Sequence, residues 1–302
     1  MSKLVIIDGN AIMHRAFHAM PPLTTKMGEP INAVYGLVSM LLNVIQNLNP
    51  THLAFAFDEK GKTFRQIELP TYQAQRPPMV DELSSQFSKA RDFLKASKIP
   101  VYSMGGYEAD DVIGTIVDSQ KRIANSETIV VTGDRDILQL VDDKKNIKLY
   151  MPIAGLVNAK LFGEKETIER MGVSPSQIPD LKALTGDASD NYFGVPGIGP
   201  KTAINLLNQF GSFIDIYKNI SKVPEKIKEK LEKGKDSAFL SYKLATIVLK
   251  VPIKFDFDSM STWDLDSQEV LNLFAEFGFK TLTDRIKKVG KQVDNEKQMT
   301  LL

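Results

Sequence analysis

Three short apolar runs along the chain end in the same way. Lys3 to Asp8, Leu53 to Asp58 (LAFAFD) and Thr128 to Asp134 (TIVVTGD) are rich in Val, Ile, Leu, Phe or Ala, and each stops at an aspartate. Continuous apolar runs of this length, without alternation, predict strands buried on both faces of a parallel sheet. A further strand is predicted at Ile147 to Tyr150. Between the strands the apolar period changes to that of helices. Ala11 to Ala19 is helix-like, and Asn32 to Leu48 places Val34, Leu37, Val38, Leu41, Leu42, Ile45 and Leu48 around most of its circumference. The pattern predicts an α/β fold with a central, mostly parallel sheet flanked by helices.

Glu59 to Pro100 interrupts this alternation. Pro77 and Pro78 break whatever precedes them, and a helix follows with Leu83, Phe87, Ala90 and Leu94 on one face. Its cations, among them Lys60, Lys62, Arg65 and Arg76, outnumber its acids, so it reads as a mobile, mildly basic excursion over the sheet edge. After Tyr150 the chain turns helical. In GVPGIGPKTAINLL, Gly197, Gly199, Lys201 and Thr202 form a tight turn that opens on a helix N-terminus, where free N–H groups and the helix dipole favour a phosphate. The GxxxxGK[ST] spacing of a nucleotide P-loop is absent, so ATP chemistry is not supported. Lys222 to Lys235 reads as a solvated helix or loop, and Ala238 to Leu249 and Ser267 to Val289 as helices. The expected division is a core over 1–175, with the excursion at about 60–100, a helical region over 176–290 and a flexible polar tail over 291–302.

Composition narrows the chemistry. The 302 residues contain no cysteine, which excludes disulfides, thiolate catalysis and cysteine-held zinc or iron–sulfur centres. No apolar run reaches the ~18 residues of a membrane span. The N-terminus enters a strand at once and lacks a signal-peptide cleavage region, so a cytoplasmic protein is expected. A net charge of +1 conceals segregation: if the acidic motifs converge, the remaining surface is net basic and suits a polyanion.

The acidic motifs supply nine candidates: Asp8, Asp58, Glu108, Asp110, Asp111, Asp134, Asp136, Asp187 and Asp190. Taken singly, each is adequately explained as a helix cap or turn residue. Ligands in parallel α/β sheets, however, sit beyond the carboxyl ends of the strands, and three strands each delivering an aspartate there make a shared site. Carboxylates crowded beside apolar strands need a compensating cation. Oxygen ligands without cysteine or histidine select Mg²⁺ or Mn²⁺ over zinc. His14 and His18 have the spacing of a zinc pair, but no third nitrogen ligand accompanies them.

With these residues in hand, the chain resembles the bacterial 5′-nuclease family of flap endonucleases and 5′-3′ exonucleases. The resemblance rests on IIDGNAIMHRAFHA, FDEKGKTFR, RPPM, GYEADDVIGT, VTGDRDILQLV, ALTGDASDN, GVPGIGPKTA and FLSYKLATI, which occur in family order over about residues 3–285. It implies a PIN-like core with a helical arch, a helix–hairpin–helix clamp and two-metal hydrolysis of DNA phosphodiesters near single-strand/duplex junctions, in replication and repair. It implies a first metal cluster of Asp8, Asp58, Glu108 and Asp110 and a second of Asp134, Asp136 and Asp190. Asp111 and Asp187 would act directly or through water. Arg15, Lys62, Arg65 and Arg76 would lie near the scissile phosphate or on the arch, with Arg76 also counted in the catalytic set. Gly197, Gly199, Lys201 and Thr202 would grip duplex phosphates, with a K⁺ held by backbone carbonyls. Many members carry lysine where this chain has Gln73. Gln298, Met299, Leu301 and Leu302 resemble the peptide by which bacterial replication proteins dock on the sliding clamp. The resemblance leaves a monomer acting at the nucleoid, without membrane attachment, as the default. Two other readings stand beside it: a non-catalytic module that recognises branched DNA, and a related RNA-directed nuclease.

Overall fold

The computed structural model describes residues 2–120, 126–154 and 158–300. A six-stranded sheet organises the chain, with β1 (Ser2–Asp8), β2 (His52–Ala56), β3 (Val101–Tyr102), β4 (Ser126–Val131), β5 (Ile147–Ala154) and β6 (Asn158–Phe162) in the order β3-β2-β1-β4-β5-β6. All neighbours are parallel except β5 and β6. The predicted strands are present, and successive residues face opposite layers. Val5, Ile7, Leu53, Phe55, Ile129 and Val131 enter one core; Leu4, Ile6, Ala54, Ala56 and Val130 enter the other. Because both sides are buried, the strands read as continuous apolar runs.

The chain leaves β1 towards β2 on one side and later returns to β4 on the other. This reversal opens a crevice beyond the carboxyl ends of β1 and β4. Asp8 closes β1, and Asp134 follows β4 by a short turn. Between β1 and the helix Gly9–Ala19 there is no room for a side chain at Gly9, since a Cβ would run into the Phe57 ring. Asp8 caps that helix, its Oδ1 accepting the Ala11 N–H at 2.9 Å.

One layer contains the helices Gly9–Ala19, Asn32–Leu48 and Gln86–Ala96; the other contains Ala109–Gln120 together with Ile178–Thr185 and Pro200–Phe210. At its N-terminus the helix Asn32–Leu48 has no side-chain cap from Ile31, which precedes it. Gln86, fully buried and more than fifty residues away, supplies one, its Oε1 accepting the N–H groups of Ala33 at 2.7 Å and Val34 at 3.3 Å.

The C-terminal helices divide between the layers. Gln268–Phe277 and Lys280–Thr300 return to the first layer, where Leu282, Ile286 and Val289 join its core and Arg285 donates to Ser39 and Asn43 at 2.8 and 3.1 Å. The helical backbone continues to Thr300, through most of the stretch expected as a flexible tail. In its first part the inward positions Leu282, Ile286, Val289 and Val293 recur every three or four residues and bury one face, which anchors the helix. Of the expected sliding-clamp peptide, Leu301 and Leu302 and the side chains of Gln298 and Met299 lie outside the described residues. No helix among the described residues is long and apolar enough to cross a membrane.

Candidate metal centre and nucleic-acid interface

Asp8, Asp58, Glu108, Asp110, Asp134, Asp136 and Asp190 line one cleft of about 570 Å³, with Arg76 at its wall. Asp8 is buried, and its second oxygen accepts the Thr132 hydroxyl at 2.7 Å. Asp58 caps from a distance: its Oδ1 accepts the Ala109 N–H at 2.7 Å, at the start of the helix Ala109–Gln120. That helix start carries Glu108 and Asp110 into the cleft. After β4, Asp134 turns back, and its Oδ1 accepts the Asp136 N–H at 2.8 Å. The capping and turn roles are therefore real for Asp8, Asp58 and Asp134, and they fix where the remaining oxygens of these three acids lie.

A second group gathers across the cleft. Carboxylate oxygens of Asp136, Asp187 and Asp190 lie within 4.8 Å of one another. Asp187 and Asp190 sit on a loop folded back on itself, where Asp187 and Tyr192 exchange backbone hydrogen bonds at 2.9 and 3.1 Å. Gly186 takes φ +71° there, and a Cβ on it would run into the backbone of Gly194 and Tyr192, so only glycine fits. The same loop runs directly into the hairpin at Gly197.

Burial of so many acids shifts their protonation. Burial, then repulsion from Asp134 and Asp58, raises Asp8 to about 7 against the hydrogen bonds of Ala11 and Thr132. Glu108 rises to about 7, chiefly by burial, although the Arg65 cation opposes it. Asp136 reaches about 6 by burial despite Lys182, and burial raises Asp58 as well. Asp110 is raised well above the carboxylate range, first by burial and then by the charges of Asp134, Asp8, Glu108 and Asp136. No described residue donates it a hydrogen bond. Burial acts against ionisation of Asp187 too, but hydrogen bonds from Lys182 and Ser189 outweigh it and hold Asp187 down at about 2. A carboxylate without donors, lying among acids from both groups, is what an all-oxygen divalent cation site looks like without its cation. The acidic cluster therefore fits metal ions.

A pH dependence follows. Asp8 and Glu108 have ordinary values of 3.8 and 4.5 when unfolded and about 7 when folded, so between these limits the native state binds more protons. Stability of the metal-free protein then falls as pH rises through the window and levels off above it. The thermal midpoint without metal should drop between about pH 5 and pH 8, and divalent cation should restore it most at the upper end. Thermal unfolding with EDTA or Mg²⁺ checks this; a midpoint that rises over the window in EDTA would contradict it.

Two expected site residues point elsewhere. Asp111, expected at the metals, is fully buried and grips Arg65, expected on DNA, by a bidentate pair at 2.7 and 2.9 Å. Asp111 also accepts the N–H groups of Val248 at 2.9 Å and Glu108 at 3.1 Å. Arg65 is 2 % exposed and further donates to the carbonyls of Leu244 and Thr246. It still lines the floor of the cleft, where its guanidinium lies 3.3 Å from Glu108. A buried charge is retained where it is paired, and this pair ties the base of the excursion to the helix Lys235–Ala245.

Residues 69–76 of the excursion are fastened across the cleft. The Gln73 backbone takes φ 56° and its N–H donates to the Asp190 carbonyl at 2.9 Å. Gln73 Nε2 and Arg76 Nη2 both donate to Asp190 Oδ1, at 3.1 and 2.5 Å. Tyr72, which the sequence reading passed over, is buried against Tyr192, with its hydroxyl 3.3 Å from Glu108. Lys62 is exposed between the cleft-lining Gly61 and Thr63. Arg15 is half-buried beside Gly133. His14 lines the cleft, and burial lowers its pKa.

At the hairpin, Gly197 adopts φ +79° and Pro200 begins the helix Pro200–Phe210, whose N-cap Gly199 offers no side chain. Lys201 is exposed at that N-terminus. Two hairpin carbonyls are already engaged: Phe193 accepts the hydroxyls of Ser237 and Ser241, and Gly197 accepts Lys230 Nζ at 3.0 Å. A K⁺ would have to find its ligands elsewhere in the turn.

Comparison with known proteins agrees with this geometry. Residues 3–172 match the family described as 5′-3′ exonuclease, N-terminal resolvase-like domain, and residues 173–268 match 5′-3′ exonuclease, C-terminal SAM fold. DNA polymerase I of Caldicellulosiruptor bescii is 41% identical over 284 residues, covering 94% of this chain and 33% of that protein. DNA polymerase I of Bacillus subtilis is 37% identical over 298 residues, covering 98% and 34%. The chain thus spans about a third of the length of these relatives. Among solved structures, T5 5′-exonuclease with bound divalent metal ions (zinc) superposes with a TM-score of 0.67 at 21% identity, over 97% of this chain and 98% of that one. Flap endonuclease-1 from Methanococcus jannaschii gives 0.62 at 16% identity, over 98% and 93%.

Proposed function

Because the chain belongs to the 5′-3′ exonuclease family, we propose that it is a structure-specific 5′-nuclease, a 5′-3′ exonuclease and flap endonuclease that hydrolyses DNA phosphodiesters near single-strand/duplex junctions. Its work would be removal of primers and flaps in replication and repair, which would place it at the nucleoid. The observation that carries this reading is the convergence of seven carboxylates in one cleft that a single short loop, 186–195, joins to the hairpin opening the helix Pro200–Phe210.

Asp8, Asp58, Glu108 and Asp110 would hold one Mg²⁺ or Mn²⁺, and Asp134, Asp136 and Asp190, with Asp187 beside them, a second. Two such ions supply charge stabilisation to the phosphoryl oxygens and acidify an attacking water. The protein supplies the positioning. The free N–H groups at the start of the helix Pro200–Phe210 and the Lys201 ammonium bind duplex phosphates. Arg76, about half exposed at the cleft wall, would meet the backbone near the scissile bond, and Lys62, between the cleft-lining Gly61 and Thr63, and Arg15, beside Gly133, would add to its charge. None of the acids has to act as a nucleophile. Cleavage would leave a 5′-phosphate and a 3′-hydroxyl.

Flap, nicked and single-stranded DNA and single-stranded RNA, incubated with Mg²⁺ or EDTA and sized, test the substrate class. Junction DNA should be cut fastest, while preference for RNA, or tight duplex binding without cutting, would sink the proposal. Lys201→Ala should weaken binding to every duplex sequence alike and reduce the slope of log affinity against log salt by about one. An unchanged slope in a salt titration would remove Lys201 from the interface.

A further inference from the structure

Lys182 stands on the helix Ile178–Thr185, a helix otherwise turned inward through Ile178, Leu181, Ala183 and Leu184. Its side chain is 13% exposed, and its ammonium contacts Asp136 Oδ1 and Asp187 Oδ2 together. These two acids and Asp190 form the trio whose oxygens lie within 4.8 Å of one another. Almost every oxygen of the trio already has a protein donor. Asp187 Oδ1 accepts the Ser189 N–H and hydroxyl at 2.8 and 2.5 Å, and its Oδ2 accepts Lys182. Asp190 Oδ1 is held by Gln73 and Arg76, and its Oδ2 lies 3.4 Å from the Tyr72 hydroxyl. Asp136 keeps only Oδ2 free of a described donor.

Three carboxylates this close, with side chains only 10–20% exposed, repel one another unless a cation lies among them. We infer that Lys182 is a built-in counter-ion of the second carboxylate group: it holds the group assembled without metal, and a divalent ion enters by exchange with its ammonium. This rests on the reading of the cluster as a metal centre. Metal binding at this position is then substitution of one cation for another, so Lys182 weakens it while protecting the empty group from its own charge. It is a positioning residue, separate from the chemistry.

Mn²⁺ titration followed by electron paramagnetic resonance, with thermal unfolding in parallel, tests the inference on the full chain. Lys182→Met keeps the length of the side chain and removes the charge. It should tighten the weaker Mn²⁺ site by about tenfold or more, lower the thermal midpoint in EDTA and recover it in saturating Mn²⁺. Lys182→Arg should leave the affinity near that of the wild type. If Lys182→Met needs metal to fold, Lys182→Gln, which keeps a donor for Asp187, serves for the same comparison. Equal or weaker Mn²⁺ binding by the uncharged variants would overturn the inference. A wild type that binds no Mn²⁺ would instead overturn the metal centre itself, so the two failures are distinct.

Discussion

Replacing Asp110 with asparagine should cut metal-dependent DNA cleavage by ~1,000-fold or more, about 4 kcal/mol of lost transition-state stabilisation, and should at the same time raise the thermal midpoint of the metal-free protein. Both effects have one cause. Asp110 is pressed by Asp134, Asp8, Glu108 and Asp136 and raised far above the carboxylate range, so in the absence of metal its charge opposes folding. With metal present that same charge is what the site is for. Asparagine keeps the shape and one oxygen while removing the charge, a trade of activity for stability expected where function requires a strained arrangement. Single-turnover cleavage and thermal unfolding in EDTA measure the two halves. A variant that loses activity and stability together would point to misfolding and speak against this account.

Arg65→Met should destabilise the protein by ~3–5 kcal/mol, since it leaves Asp111 buried without its partner. The guanidinium makes a bidentate bond to Asp111, donates to Leu244 and Thr246 and lies 4.5 Å over the Phe64 ring. Asp111→Leu alone should cost a similar amount. The double variant should recover a large part, because an apolar pair of similar volume carries no desolvation penalty. Urea unfolding of the four proteins gives the coupling directly. A loss below about 1 kcal/mol for Arg65→Met would mean that the pair is solvated, and Arg65 would return to the DNA interface.

Asp110 and Asp111 show what the sequence could and could not yield. Strand ends were legible because a buried parallel strand is a continuous apolar run, and the aspartates that end the runs at Asp8, Asp58 and Asp134 all reach the cleft mouth. Adjacent acids at a helix start are different. Successive helical residues point about 100° apart, so Asp110 enters the cleft while Asp111 enters the core, and the choice depends on Arg65, forty-six residues earlier in the chain. Lys182 left no signal, since a lysine in a helix is ordinarily solvated and its two carboxylate partners come together only in the folded chain. Gln73 departs visibly from the family pattern, but its bonds to Asp190 depend on a left-handed backbone that the residue type does not announce. Ser267 to Val289 is legible as helical from its apolar spacing, but the polar composition of 291–302 suggests a tail where the helical backbone continues to Thr300.

A 5′-end-labelled flap duplex, incubated with the wild type and with Asp110→Asn in Mg²⁺ or EDTA, tests most directly whether the acidic cleft is a metal-dependent nuclease site. The wild type in Mg²⁺ should release a labelled fragment cut near the junction, EDTA should abolish the product, and Asp110→Asn should form it ~1,000-fold more slowly. Undiminished cleavage in EDTA, or by Asp110→Asn, would contradict the assignment.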